Sequence, residues 1–306
     1  MSTEMRSGVE IPADRYRLLV PLSTEVASGS VERRLRTAAA IARERGGGVV
    51  VCYLATVARQ TPLDGVPSDH PILAEAHETT EEFVESAARA DVPAMGRIHL
   101  SHDESKSVLD AVETHECEGV VLSIEAGRSQ RRRLLGGDTA EKVVARAGCE
   151  VFVEKQAVDE TPIRRILLAV SGGPHSELAA KTARALAIDS TARVDVVHFL
   201  GRDASANERN QGERIIETTE RILADIERVE TRSESTENVT EAIVARSDEY
   251  DVTVLGAPTG GLLEQFVFGM VPDSVNRGSE NAVVMAQQDT GSTSVYGRWI
   301  AGDPSE

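Results

Sequence analysis

The sequence predicts an α/β protein of two tandem domains, each a five-stranded parallel sheet with helices on both faces. Three observations predict it. Short apolar runs alternate with segments of helical periodicity, this alternation occurs twice in the same order, and a length of 306 residues suits two domains. Strands that are joined by helical crossovers run parallel, and the crossover helices then cover the sheet.

The first predicted domain spans residues 14–155. Residues 49–54 are apolar throughout, which is typical of a strand buried on both faces, whereas residues 31–45 carry apolar side chains at helical spacing. The predicted strands of this domain are residues 17–21, 48–54, 97–100, 119–124 and 150–153, and its predicted helices are residues 31–45, 72–90, 106–115 and 139–147.

The second predicted domain spans residues 163–288 and repeats this order, without a counterpart of the loop at residues 56–71. That loop is a surface loop or, alternatively, a lid over a site in the first domain. Residues 289–306 are polar and are expected to form a C-terminal tail. The predicted strands are residues 165–170, 192–199, 228–232, 251–255 and 281–286, and the predicted helices are residues 176–187, 208–227 and 240–247, the first of them capped by Ser176.

The composition excludes several functions. With 33 basic and 50 acidic residues the net charge is −17, so the chain is not expected to bind nucleic acid or anionic membranes non-specifically. Four of the basic residues are lysines, a bias that favours a halophilic protein from a salt-rich cytoplasm over an ordinary acidic mesophile protein. No apolar run reaches the roughly 20 residues of a membrane span, and the N-terminus has no apolar signal core, so a cytoplasmic location is expected.

The sequence offers neither a metal site nor a catalytic centre. Its three cysteines are far apart and are predicted to be buried thiols. His99 lies in a predicted strand and would point away from His102. His175 has no visible nucleophile to activate.

Ligands of an open parallel sheet bind beyond the carboxyl ends of its strands, where the winding direction reverses. The loops to consider therefore follow the first and fourth strands of each domain. Glycines there let the backbone approach a phosphate, and the next helix points its amino end at the same place. The candidate residues are Ser23, Gly127, Gly137, Asp138 and Thr139 in the first domain, and Ser171, Gly172, Gly256, Thr259, Gly260 and Gly269 in the second.

These loops, together with the strand order, resemble the universal stress protein (UspA) superfamily over nearly the whole chain, twice. Nucleotide-binding members carry the motif G-x2-G-x9-G-[ST] after the fourth strand. The chain departs from that motif at Ile124, Asp138, Thr259 and Met270. It also carries serine at Ser23 and Ser171, where nucleotide-binding relatives usually have aspartate.

The resemblance implies two Rossmann-like domains that pair with each other as an intrachain pseudo-dimer, with further dimerisation left open. It also implies a regulator that binds ATP or another adenine nucleotide at the carboxyl ends of the strands, without dedicated catalysis.

Three alternatives stay open. The glycines could serve only to make tight turns. The turn Val170-Ser-Gly-Gly-Pro-His and the loop Gly256-Ala-Pro-Thr are similar to stress-protein domains attached to amino-acid permeases, which implies a regulatory partner of a membrane transporter that binds no nucleotide. An adenylating or hydrolase-type α/β enzyme is the third alternative.

Overall fold

The structure, a computed structural model, describes residues 2–23, 31–124, 139–140, 142–155, 162–257 and 281–289. Its first repeat consists of the elements β1 (Ser2–Gly8), β2 (Arg17–Ser23), α1 (Val31–Glu44), β3 (Gly48–Thr56), a 3-10 turn (Leu63–Gly65), α2 (Pro71–Arg89), β4 (Ala94–Ser101), α3 (Glu104–Thr114), β5 (Gly119–Ile124), a helical segment at residues 142–146, and β6 (Glu150–Lys155).

The strands of the first repeat lie in the order β1-β4-β3-β2-β5-β6. Strand β2 pairs in parallel with β3 and β5, and β3 pairs in parallel with β4. The chain thus winds outward in one direction through β3 and β4 and in the other through β5. The reversal that the sequence predicted falls between β2 and β5.

Strand β1 is an element that the sequence did not predict, and it adds an antiparallel edge to the parallel sheet. Ser7 pairs with Gly96, and Gly8 with Met95. A Cβ at Gly96 would collide with the side chains of Ser7 and Thr80, so only a glycine fits between β1 and α2. The residues of β1 are mostly polar, which left no apolar pattern to indicate a strand.

The second repeat consists of β7 (Arg165–Val170), α4 (Gly173–Ser190), β8 (Arg193–Gly201), α5 (Ala206–Ile222), β9 (Val229–Thr236), α6 (Val239–Ser247), β10 (Val252–Gly256) and β11 (Ala282–Gln287). Its five strands lie in the order β11-β10-β7-β8-β9, and all four neighbouring pairs are parallel. Here the winding reverses between β7 and β10.

Helices cover both faces of the second repeat's sheet, as two neighbouring residues of β8 show. Val197 packs with Leu167 and Tyr250 on the face that α6 covers. The His198 ring lies against Gly212 of α5 on the opposite face. The predicted α/β fold, with mostly parallel strands between helices, is therefore confirmed.

The connection from β3 to α2 is longer than its counterpart in the second repeat, as the sequence indicated. In the first, residues 57–70 join β3 to α2 and include the 3-10 turn, whereas in the second only residues 202–205 join β8 to α5. Among the helices of the described residues, none combines the length and apolar character needed to cross a membrane.

Candidate functional site

The structure brings three of the predicted site residues together at the carboxyl edge of the second repeat. Ser171 and Gly172 directly follow β7, and Gly256 ends the neighbouring strand β10. The two strands are in register up to the pair Leu255 and Ala169. All three residues thus lie where the winding reverses.

Gly256 lies against the backbone of the first turn of α4. A Cβ at this position would stand 2.7 Å from the carbonyl carbon of His175 and 2.8 Å from the nitrogen of Ser176. No larger residue fits without moving the helix. This close approach explains why a glycine occupies position 256. It also positions the start of α4 over the end of β10.

The turn between β7 and α4 also requires glycine. Gly172 has φ 87° and Gly173 has φ 78°, in the left-handed region that other residues rarely adopt. Gly172 is the N-cap residue of α4 and provides no side-chain hydrogen bond to the helix. The uncapped first turn leaves backbone N–H groups available for an anion.

The predicted capping role of Ser176 is wrong, because α4 begins three residues earlier. Ser176 lies within the first turn, and its hydroxyl accepts a hydrogen bond of 3.1 Å from the backbone N–H of Ser171. The hydroxyl thereby fixes the turn between β7 and α4 and does not cap the helix.

A cavity of about 230 Å³ opens beside this turn, between the first turn of α4 and α5. Within the described residues the guanidinium of Arg214 and the amide of Gln211 have no hydrogen-bond partner. Glu177 also borders the cavity and disfavours an anion there. Its walls are formed by Gly172, Gly173, Ser176, Glu177, Gln211, Arg214, Ile215, Thr218 and Thr219.

The sequence did not identify the α5 residues of this cavity. Their segment shows only the apolar periodicity of a helix that packs on a sheet, and no motif singles out Gln211 or Arg214. Tertiary packing of α5 beside α4 brings them to the turn, so no local signal could have found them.

His175 connects the turn to the chain that follows β11. Its Nδ1 accepts a hydrogen bond of 3.0 Å from the backbone N–H of Gln288. Burial lowers the pKa of the imidazole, which favours the neutral ring that this bond requires. The ring therefore positions the turn.

The first repeat's candidate site is described in part. Ser23 is the last residue of β2 and is partly exposed. The Thr139 hydroxyl donates a hydrogen bond of 3.5 Å to Glu104 in the first turn of α3. The remaining candidates, Gly127, Gly137, Asp138, Thr259, Gly260 and Gly269, lie outside the described residues, as do Met270 and the arginines of residues 128–133.

Metal ligands do not gather in the part of the chain that the structure describes: no three His, Cys, Asp or Glu side chains there are placed to hold a metal ion. Cys52, Cys117 and Cys149 are buried free thiols, as predicted. Burial raises the pKa of Cys117 to about 12, so this thiol stays protonated and unreactive near neutral pH.

The comparisons with known proteins agree with this fold. The model of the universal stress protein family matches residues 17–155 and 162–287. No curated protein matches the chain. Among solved structures, a universal stress protein from Archaeoglobus fulgidus DSM 4304 is similar at 16% identity and a TM-score of 0.58, over 90% of this chain and 97% of that chain.

Two further solved structures are similar over most of the chain. A putative universal stress protein from Pseudomonas aeruginosa UCBPP-PA14 shares 14% identity, with a TM-score of 0.54 over 94% of this chain and 98% of that one. The cytoplasmic domain of a prokaryotic cation chloride cotransporter shares 12% identity, with a TM-score of 0.59 over 92% of this chain and 98% of that one. At these identities the likeness shows the fold alone.

Proposed function

Because the chain belongs to the universal stress protein family, we propose that it is a cytoplasmic regulator that binds ATP or another adenine nucleotide, without dedicated catalysis. The binding site is at the carboxyl edge of the second repeat. The observation that carries this proposal is the cavity between the turn of Gly172 and Gly173 and helix α5.

Two features of the cavity suit a phosphate, although the Glu177 carboxylate opposes it. The uncapped first turn of α4 presents backbone N–H groups and the positive end of the helix dipole. Arg214 supplies a guanidinium from the opposite wall. Gly172 and Gly173 carry no side chains, so an anion can approach the backbone closely.

The remaining walls suit the other parts of a nucleotide. Ile215 offers an apolar surface, and Gln211 and Thr218 offer hydrogen-bonding groups. A volume of about 230 Å³ is slightly below the usual range of small-molecule pockets, roughly 300–1,000 Å³, so the cavity holds one part of the nucleotide. The rest lies along the edge of the sheet, towards Gly256.

Equilibrium dialysis of the whole chain in molar KCl, with labelled ATP, ADP, AMP and cyclic dinucleotides, tests this proposal. We expect saturable binding of at least one adenine nucleotide. The variant Gly172→Val should abolish it, since Gly172 has φ 87° and a Cβ there already lies 3.0 Å from Ile215. Gly201→Ala, in open space at the end of β8, is the matched control. Absence of binding at millimolar nucleotide would refute the proposal.

A second candidate function is regulation of a membrane transporter without nucleotide binding. The observation in its favour is the likeness of almost the whole chain to the cytoplasmic domain of a cation chloride cotransporter. Pull-down from solubilised membranes tests this function: stoichiometric enrichment of a transporter that also binds the Gly172→Val variant supports it, and enrichment of no transporter contradicts it.

A further inference from the structure

A second and larger cavity, of about 420 Å³, opens in the first repeat between the end of β4 and helix α3. Leu63, from the loop that the second repeat lacks, forms part of its wall. Among the described residues, none that the sequence predicted as a nucleotide ligand borders it. Its volume is within the range of small-molecule sites.

Three charged side chains of α3 border this cavity, and all three lack an ion-pair partner among the described residues. They are Lys106, Asp110 and Glu113, whose spacing places them on one face of the helix. Asp103 also borders the cavity, but its carboxylate already accepts hydrogen bonds from the Lys106 N–H and the Ser105 hydroxyl. One cation and two anions are therefore left for a ligand.

Ser107 provides an independent indication of a ligand. This residue borders the cavity and is only 4% exposed. Its hydroxyl has no hydrogen-bond partner within the described part of the chain. A bound molecule with a polar group could therefore form a hydrogen bond with this hydroxyl from the cavity.

Two histidines at the cavity add hydrogen-bonding groups to the charged side chains of α3. His99 lies 3.0 Å from His115 between their Nε2 atoms, and burial lowers its pKa despite nearby Asp110, which favours a neutral ring. His102 donates from Nδ1 to the carbonyl of Val57 at 3.2 Å, which leaves its Nε2 for a ligand.

We propose that this cavity binds a small zwitterion of the α-amino-acid class. The ligand's carboxylate pairs with Lys106, and its ammonium lies between Asp110 and Glu113. The Ser107 hydroxyl donates to the carboxylate, and the aliphatic part of the ligand packs against Leu63 and Leu100. This site depends on no residue of the proposed nucleotide site.

Calorimetric titration of the whole chain with each of the proteinogenic L-α-amino acids tests the proposal. We expect at least one of them to bind saturably. For the tightest ligand, the corresponding amine without the carboxylate and the corresponding acid without the ammonium should each bind at least about tenfold more weakly. The proposal is overturned if no amino acid binds with a Kd below about 10 mM, or if either analogue binds equally well.

Side-chain variants locate the binding site. Lys106→Met and Asp110→Asn should each weaken binding of the tightest amino acid by about tenfold or more. Lys181→Met, which removes an exposed lysine of α4, is the matched control and should leave binding unchanged. Wild-type affinity in both α3 variants would overturn the assignment.

Ser107→Ala separates a binding role from a structural one. Because the hydroxyl has no hydrogen-bond partner within the described part of the chain, its removal should leave the thermal midpoint unchanged, while binding of the amino acid weakens. A fall in the thermal midpoint with unchanged affinity would show that Ser107 has a structural role only, and would contradict the proposal.

Discussion

Tyr250 donates a hydrogen bond of 2.7 Å to Asp195, a carboxylate that is only 1% exposed. The guanidinium of Arg193 donates two hydrogen bonds to the same carboxylate, of 2.6 and 2.9 Å. The guanidinium carbon of Arg165 lies 4.6 Å from the centre of the Tyr250 ring. This cluster lies near the amino ends of β7 and β8, opposite the proposed nucleotide site, so it stabilises the fold without contacting the ligand.

Asp195→Asn should therefore destabilise the second repeat without changing nucleotide affinity. The loss of charged hydrogen bonds is expected to cost roughly 1.5–3 kcal/mol, measured by urea denaturation. The control is Asp225→Asn, which breaks an ion pair with Arg184 in which Asp225 is 51% exposed, and which should cost about 0–1 kcal/mol. Equal effects of the two variants would contradict this account.

The stabilisation by Asp195 should depend on pH. Burial would raise the pKa of this carboxyl, but the hydrogen bonds from Arg193 and Tyr250 outweigh burial and hold it below its ordinary value. The contribution to stability is thus present above the unfolded pKa of about 3.9 and is lost as the pH falls through the folded pKa. The difference in unfolding free energy between wild type and Asp195→Asn should become smaller below about pH 4. A constant difference down to pH 3 would count against this explanation.

We expect His115 to make the unfolding free energy depend on pH as well, in a higher pH range than Asp195. Burial lowers the pKa of His115 to about 4. Between the unfolded pKa of about 6.5 and this value, the unfolded chain binds a proton that the folded chain does not. Wild type should therefore lose more unfolding free energy than His115→Gln when the pH falls from 7 to 5. Parallel losses in the two proteins would show that His115 does not titrate in this way.

Gly256→Ala tests the contact between β10 and α4. The new methyl group would collide with the backbone of His175 and Ser176, so we expect a loss of about 1–3 kcal/mol of unfolding free energy together with weaker nucleotide binding. Gly201 ends β8, which is separated from β10 by β7, and a Cβ there meets nothing within 4 Å, so Gly201→Ala is the control. Wild-type stability in Gly256→Ala would mean that the helix start moves freely.

The charges of the proposed nucleotide site predict opposite effects for two variants. Arg214→Met removes the guanidinium and should weaken nucleotide binding by about tenfold to a hundredfold, whereas Glu177→Gln removes a repulsive carboxylate and should strengthen it. Arg202→Met, whose guanidinium pairs with Glu237 on the surface, is the control for lost positive charge. Dialysis with the labelled nucleotide measures all three. A loss in the control as large as in Arg214→Met would indicate a general effect of charge.

The apolar pattern of the sequence predicted the fold class and the tandem repeat, and both are confirmed. Continuous apolar runs identified β3 and β7, because strands covered on both faces bury nearly every side chain. The same criterion failed for β1, which is a polar edge strand. It also predicted β4 too short, because Gly96 and Arg97 interrupt the apolar residues of that strand. Adaptation to a salt-rich cytoplasm and pairing of the two repeats with each other stay predictions.

The candidate sites were less predictable than the fold, because they combine residues that are distant in sequence. The reversal of winding located Ser171, Gly172 and Gly256 correctly at one edge of the sheet. Arg214 reaches that edge only through the packing of α5, and no local pattern indicates such a position. Lys106 and Asp110 similarly read as an ordinary exposed helix face until the structure places them around a cavity.

A crystal structure of the whole chain grown with ATP in molar KCl tests the central claim most directly. The account predicts density for the nucleotide at the carboxyl edge of the second repeat, with a phosphate near the N–H groups of the first turn of α4 and within hydrogen-bonding distance of Arg214. Nucleotide bound only elsewhere, or a cavity beside Gly172 that stays empty at saturating ATP, would contradict it.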